Sequence, residues 1–218
     1  MRHNTYEIIS TQRKPYDKCE LVATKHSNKA YKRPITKTQT QIFTKLNKLV
    51  QKFARPVILD SGCGTGVSTI FLASKFKNHL VIGIDRSELR LSKIHEKPDN
   101  CLFIRANLED IWRLIAKSDW AIDHHFIFYP NPYPKIKDYK KRWHGHPVFP
   151  TLISLSKKLT LRSDWKIYLE EFAIATKAIT NIEGLVKPYL TEEPISRFEE
   201  KYKKAGHQTY QLEFNDLE

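Results

Sequence analysis

Residues 128–143 read FYPNPYPKIKDYKKRW, a stretch in which prolines, aromatic rings and an asparagine run straight into a cluster of cations. Asn131 carries both a donor and an acceptor for a base edge, and Tyr133 carries a ring on which a base can stack. The prolines around them leave the backbone little freedom. Lys135, Lys137, Lys140, Lys141 and Arg142 then supply positive charge. Rings beside a run of cations meet the needs of RNA binding, with stacking for the base and charge for the phosphates. A stiff loop with a solvated basic flank has the same composition, so its place in the fold must decide.

A second stretch, Asp60-Ser61-Gly62-Cys63-Gly64-Thr65-Gly66, can turn the backbone sharply and bring it close to a ligand, because glycine has no Cβ in the way. Its spacing differs from the Gly-x-Gly-x-x-Gly dinucleotide fingerprint, and no Gly-Lys-Ser/Thr follows to make a P-loop. An acid directly before the turn repels a pyrophosphate and welcomes an ammonium. Asp85, at the end of the next apolar run, can accept both hydroxyls of a ribose. S-adenosylmethionine has an ammonium and a ribose but no phosphate. Asp60, Gly62, Gly64, Gly66, Asp85 and Asn107 therefore read as a methyl-donor site in preference to a nicotinamide site. Simpler roles compete at two of them: Asp85 could cap a helix beginning at Ser87, and Asn107 could cap the one after it.

The elements that must hold these groups follow from apolar spacing. Ile42, Phe43, Leu46, Leu49, Val50 and Phe53 recur at helical intervals and stop before Arg55-Pro56. Then come PVILD as a strand, VSTIFLASKF as a helix, LVIGID as a strand, RSELRLSKIHEK as a helix capped by Ser87, CLFIRA as a strand, NLEDIWRLIAK as a helix capped by Asn107, and AIDHHFIFYP as a fourth strand leading into the loop. Alternation of this kind predicts an α/β fold, a mostly parallel sheet with helices on both faces and ligands at the carboxyl ends of the strands. Residues 1–33 are polar, basic and weakly periodic, and are expected to form a basic N-terminal arm on a single domain, 34–218.

Over 218 residues, 37 Lys and Arg against 24 Asp and Glu leave a formal charge of +13, a bias toward polyanionic partners. The 3 cysteines, Cys19, Cys63 and Cys101, are far apart and form no Cys-x-x-Cys pair, which argues against a disulfide framework or a zinc site and fits a reducing cytoplasm. The N-terminal MRHNTYEIIS lacks the apolar core of a signal peptide, and no apolar run approaches the ~20 residues that cross a bilayer. No membrane partner is expected. His124-His125 and His144-Gly145-His146 are the only histidine clusters, but neighbours on a strand point to opposite faces, and no metal is expected.

The loop resembles that of the bacterial-type tRNA (guanine-N(7)-)-methyltransferases, which carry Phe-Phe-Pro-Asp-Pro-Trp-Pro-Lys followed by a basic run. Phe128 to Lys135, through Arg142, looks very like it. RPITKTQTQIF is similar to the family's Thr-Lys-x-x-Gln segment, and ISRFEEKYKKAGHQTYQLEF to its closing Thr-Lys-Phe-Glu and Gly-His segments, with Ser196 for threonine, Glu199 for glutamate, and Gly206-His207 retained. The likeness runs from about Arg33 to Phe214. In three places the chain departs from the pattern: Asn131 stands for aspartate, Tyr133 for tryptophan, and LTLRSDWKIYLEEF for a Pro-Gly-Gly turn and a Thr-Asp pair.

The resemblance implies a Rossmann-like class I methyltransferase fold, S-adenosylmethionine as methyl donor, tRNA as partner, and methyl transfer to guanine N(7) by a monomer or homodimer. It implies Asn131 and Tyr133 at the reacting base, and Ser196 and Glu199 binding guanine or donor from the other side. Two rivals stand beside it. Asn131-Pro132-Tyr133 also resembles the Asn-Pro-Pro-Tyr/Phe loop of methyltransferases acting on exocyclic amines of bases, and loss of the aspartate fits a non-catalytic tRNA-binding relative.

Overall fold

The described residues of this computed structural model are 8–190 and 193–217; residues 1–7, the head of the expected arm, lie outside them. The rest of that arm is docked. Helix α1 (Cys19–Ser27) buries Cys19 and Ala23, one turn apart, against the helix Lys166–Thr180, and the Cys19 thiol donates to the backbone carbonyl of Glu171. Only two of its side chains are buried, too few for apolar spacing to announce it.

Helix α2 (Lys37–Phe53) starts at Thr36, whose Oγ1 accepts the Gln39 N–H, and ends where Ala54 turns left-handed. The expected alternation follows: β1 (Val57–Ser61), α3 (Val67–Lys75), β2 (Leu80–Asp85), α4 (Glu88–Leu91), β3 (Cys101–Arg105), α5 (Leu108–Ile115) and β4 (Ile122–Phe128). Helix α4 is shorter than the sequence predicts. Ser87 caps it as expected, accepting from the Arg90 N–H, but the chain leaves the helix at Ser92, whose hydroxyl donates to the Leu89 carbonyl. Past the loop come two short 3-10 helices, Ile136–Lys141 and Trp143–Gly145, and then α6 (Phe149–Ile153), β5 (Leu159–Ser163), α7 (Lys166–Thr180), β6 (Lys187–Tyr189), α8 (Arg197–Ala205) and β7 (Thr209–Phe214).

The seven strands form one sheet in the order β3-β2-β1-β4-β5-β7-β6, parallel from β3 through β5, with β7 antiparallel to both of its neighbours. Every residue of β1 and β2 is buried, as a strand covered on both faces must be. Ile58, Val81 and Phe126 join Leu72 and Ala73 of α3 on one side; Val57, Leu59 and Ile82 join residues of α2, α5 and α7 on the other. Each of the larger of these side chains contributes about 1.5–3 kcal/mol on leaving water, so the central strands anchor both layers. No helix among the described residues is long and apolar enough to cross a membrane.

Strand order reverses between β1 and β4. In a doubly wound sheet that reversal opens a crevice at the carboxyl ends of the strands. The glycine turn follows β1 and the Asn-Pro-Tyr-Pro loop follows β4, so the topology brings the two chemical stretches together.

Candidate active site

Two cavities, of about 540 and 500 Å³, lie on either side of Phe128–Asn131, and both reach Gly62. The first is walled by Asp85, Asn107, Tyr133, Lys140 and Lys141; the second by Gly64, Asp164, Ser196 and Tyr202. Gly62 is exposed to both at φ +85°, and a Cβ there would meet no protein atom within 4 Å. That space is kept for something other than protein. Gly66 serves the opposite purpose: at φ +81° a Cβ would come within 2.8 Å of Phe103 and Ile94, so it is a packing glycine and lines neither cavity.

The two acids flanking the turn have different jobs. Asp85 is almost fully buried at the wall of the first cavity, where one oxygen accepts the Gly64 N–H at 3.0 Å and the other the Ser87 N–H at 2.8 Å. The Arg90 guanidinium faces the first of these oxygens at 3.5 Å, and the second keeps a lone pair for a further donor. Asp60 is expected from the sequence beside a ligand's ammonium, and the structure corrects this. Its carboxylate lines neither cavity, and its Oδ2 accepts the hydroxyls of Ser68 and Thr69, both at 2.6 Å, tying the turn to the first turn of α3. Burial raises its pKa to about 6 although those hydrogen bonds pull it down.

Asn107 occupies the N-cap position of α5, but its side chain makes no capping hydrogen bond and stands exposed in the first cavity. The cap reading therefore fails. Its backbone N–H is taken by the side chain of Gln39 at 3.0 Å. Ser61, to which the sequence assigns no role of its own, also lines this cavity; its hydroxyl lies between the Trp112 Nε1–H and His125 Nε2.

Asn131 lines both cavities, and its Oδ1 accepts the Tyr133 N–H at 3.3 Å. Tyr129 and Tyr133 both adopt left-handed backbone, at φ 50° and 44°, which side chains other than glycine enter with strain. Lys135, Lys137, Lys140 and Lys141 are exposed, and the Lys141 ammonium lies 5.7 Å from the Tyr133 ring centroid.

Two residues grouped with the binding set are spoken for within the protein. Arg142 is wholly buried and paired with Glu171, so it is out of reach of a phosphate. Glu199 is 2% exposed and its oxygens accept from the Tyr129 hydroxyl, the Arg162 guanidinium and the Ile195 N–H, leaving it to fasten α8 to the sheet and not to wall either cavity. Ser196 caps α8, accepting the Glu199 N–H, and does line the second cavity.

In the stretch without a functional assignment from sequence, Asp164 follows directly on β5 and half-buries its carboxyl in the second cavity, where desolvation raises its pKa despite a hydrogen bond with Tyr202. Its position at a strand's carboxyl end is the signal available in the sequence. The histidine pairs are engaged separately: His124 with Thr160, His125 with Ser61, and His144 with Glu171.

Residues 54–212 match the sequence profile of the family described as "Putative methyltransferase". The chain belongs to this methyltransferase family. Among curated proteins, the methyltransferase is 23% identical over 177 residues to a tRNA (guanine-N(7)-)-methyltransferase of Stutzerimonas stutzeri, covering 75% of this chain and 74% of that one. It is 26% identical over 171 residues to the protein of that name from Burkholderia ambifaria, covering 73% of this chain and 66% of that one. It is a divergent relative of both. The structure of the 16S rRNA (adenine(1408)-N(1))-methyltransferase of Catenulisporales acidiphilia, solved with cosubstrate SAM, superposes with a TM-score of 0.55 at 14% identity over 79% of this chain and 91% of that one. That likeness establishes the class I, Rossmann-like fold.

The methyl donor of this methyltransferase is S-adenosylmethionine, and the first cavity fits it. Open space beside Gly62, a buried carboxylate at Asp85 with one oxygen able to accept a further donor, and an uncommitted amide at Asn107 suit a methionine end, a ribose and an adenine.

Proposed function

We propose that this methyltransferase methylates the N(7) of a guanine in tRNA. The observation that carries the reading is the position of Asn131, in the wall shared by the donor cavity and its neighbour, with exposed lysines beginning four residues on. The loop likeness and the names of the curated relatives support it.

The donor supplies a methyl group made electrophilic by its sulfonium. Guanine N(7) holds an in-plane lone pair and no proton, so no general base is needed and the protein's task is alignment. Asp85 would accept from the ribose hydroxyls, Asn107 would meet the adenine edge, and the open space beside Gly62 would take the methionine end, while Gly64, expected from the sequence in the donor site, lines the second cavity. On the acceptor side Asn131 takes a hydrogen bond from a guanine N–H and Ser196 and Asp164 face the base from the second cavity, while Tyr133, in the wall of the first, stands beside Asn131 where the two cavities meet. Lys135, Lys137, Lys140 and Lys141 hold phosphates.

Transfer of labelled methyl from S-adenosylmethionine to unmodified tRNA, followed by nucleoside analysis, tests this. Label in 7-methylguanosine upholds it. Label on an exocyclic amine moves the reaction to the rival base chemistry, and no label despite measurable binding of donor and tRNA makes the chain a non-catalytic binder.

A further inference from the structure

Arg142 ends a basic run whose lysines are in water, yet it is itself at 0% exposure. Its guanidinium pairs with Glu171, donates to Gln12 Oε1 at 2.9 Å, and grips the backbone carbonyl of Tyr133 from both Nε (3.2 Å) and Nη2 (3.0 Å). The Trp165 ring covers it, with its centroid 4.7 Å away. Glu171 is equally committed: Gln12 Nε2 and the Tyr16 N–H donate to one oxygen at 2.6 and 2.9 Å, and Arg142 and His144 Nε2 to the other. Burial alone would push the Glu171 carboxyl up, but His144 and Arg142 outweigh it and hold the group below its usual range, so it stays an anion.

The far end of this network is the left-handed residue of the loop. Tyr133 is held at its carbonyl by Arg142 and at its N–H by Asn131 Oδ1, a pair of restraints on a conformation it would otherwise leave. Pro134, next in line, has its carbonyl bound by the Ser10 hydroxyl at 2.8 Å. The N-terminal segment therefore meets the loop twice, directly through Ser10 and through Gln12 on Arg142. Only arginine can serve here, because a planar fork can bind a carbonyl, an amide and a carboxylate at once while an ammonium is a single point of charge.

We propose that Arg142 is a positioning residue for methyl transfer: anchored by Glu171 and by Gln12 of the N-terminal segment, it sets the Tyr133 peptide and with it the Asn131 side chain against the donor cavity. The inference rests on the functional reading above and adds to it a residue that touches neither donor nor base. Its action is on alignment, so its loss should lower the rate of the bound complex and leave the binding steps nearly as they were.

The test compares wild type, Arg142→Lys, Gln12→Leu and the double variant on tRNA. Arg142→Lys keeps a cation beside Glu171 and so preserves the buried pair. Its kcat is expected to fall roughly ten- to hundredfold, with KM for tRNA and Kd for S-adenosylmethionine within about twofold. Gln12→Leu should lose a few-fold in kcat, and the double variant should be no slower than Arg142→Lys, because Gln12 acts through Arg142. Hydrogen exchange of amides 131–136 should quicken in both single variants. Should Arg142→Lys not fold, Gln12→Leu and its exchange rates decide. An unchanged kcat in folded Arg142→Lys, additive losses in the double variant, or loop exchange at wild-type rates would overturn the proposal while leaving the reaction standing. Absence of any methyl transfer by wild type would instead remove the functional reading, and this inference with it.

Discussion

Asp85 accepts the backbone N–H of Gly64 at 3.0 Å, from 21 residues back in the chain, so the end of β2 and the glycine turn after β1 are braced against each other. The same carboxylate lines the first cavity, the proposed donor site. Asp85→Asn exchanges one charged acceptor for an amide that cannot serve both the Gly64 N–H and a ribose. Hydrogen bonds to a charged partner are worth about 1.5–3 kcal/mol, so affinity for S-adenosylmethionine should weaken about 10- to 100-fold by calorimetry. A Kd equal to that of wild type would take Asp85 out of the donor site.

Asp60 makes stability depend on pH in an unusual direction. Its carboxyl titrates near 3.8 in an ordinary environment and near 6 when buried here. Between those values the folded protein keeps a proton that the unfolded chain has lost, so this group's contribution falls as pH rises, and above pH 6 its cost is fully present at about 3 kcal/mol. Urea unfolding of wild type and Asp60→Asn at about pH 4 and pH 6.5 checks the sign: the variant should gain on wild type as pH rises. Parallel curves for the two proteins would mean that Asp60 does not titrate in this window.

Asn131 offers a neutral carbonyl where an aspartate would offer a charged one, roughly half as strong an acceptor. If the hydrogen bond to guanine steadies the cation formed by methylation, Asn131→Asp should raise kcat on tRNA, by about fivefold for an additional ~1 kcal/mol. Single-turnover kinetics with saturating donor would read this. A large loss of rate would show that the amide's N–H is what the reaction needs.

The exposed lysines should act on affinity through salt. Replacing Lys135, Lys137, Lys140 and Lys141 by alanine should lower the slope of log K for tRNA against log salt by about 0.7–0.9 for each phosphate no longer neutralised. Lys141 shares its charge with Asp138 at 2.8 Å, an exposed pair of small worth, so it remains available to a phosphate. A slope equal to that of wild type would place the RNA elsewhere on the surface.

The alternation of strands and helices, the turn at Gly62–Gly66 and the arrival of Asn131 and Tyr133 at a strand's end were all legible in the chain, because each depends on residues within a few positions of one another: apolar period, cap, glycine, proline. Parallel strands and a switch point then follow from topology, so the meeting of the two stretches was legible as well. What only the tertiary structure decided is the work of individual charges. Asp60 and Asp85 both lie at the carboxyl ends of neighbouring strands, one residue before the last of β1 and at the last of β2, yet one is spent on Ser68 and Thr69 while the other faces a cavity. Lys141 and Arg142 are adjacent cations, yet one is in water and the other is held by Glu171, 29 residues on, and Gln12, 130 residues back. Glu199 is spent on Tyr129 and Arg162, and Asp164 lines the second cavity together with Ser196. Desolvation and hydrogen-bond partners determine whether a charge is bound within the protein or offered to a ligand, and both come from groups brought together by folding, not by proximity in sequence.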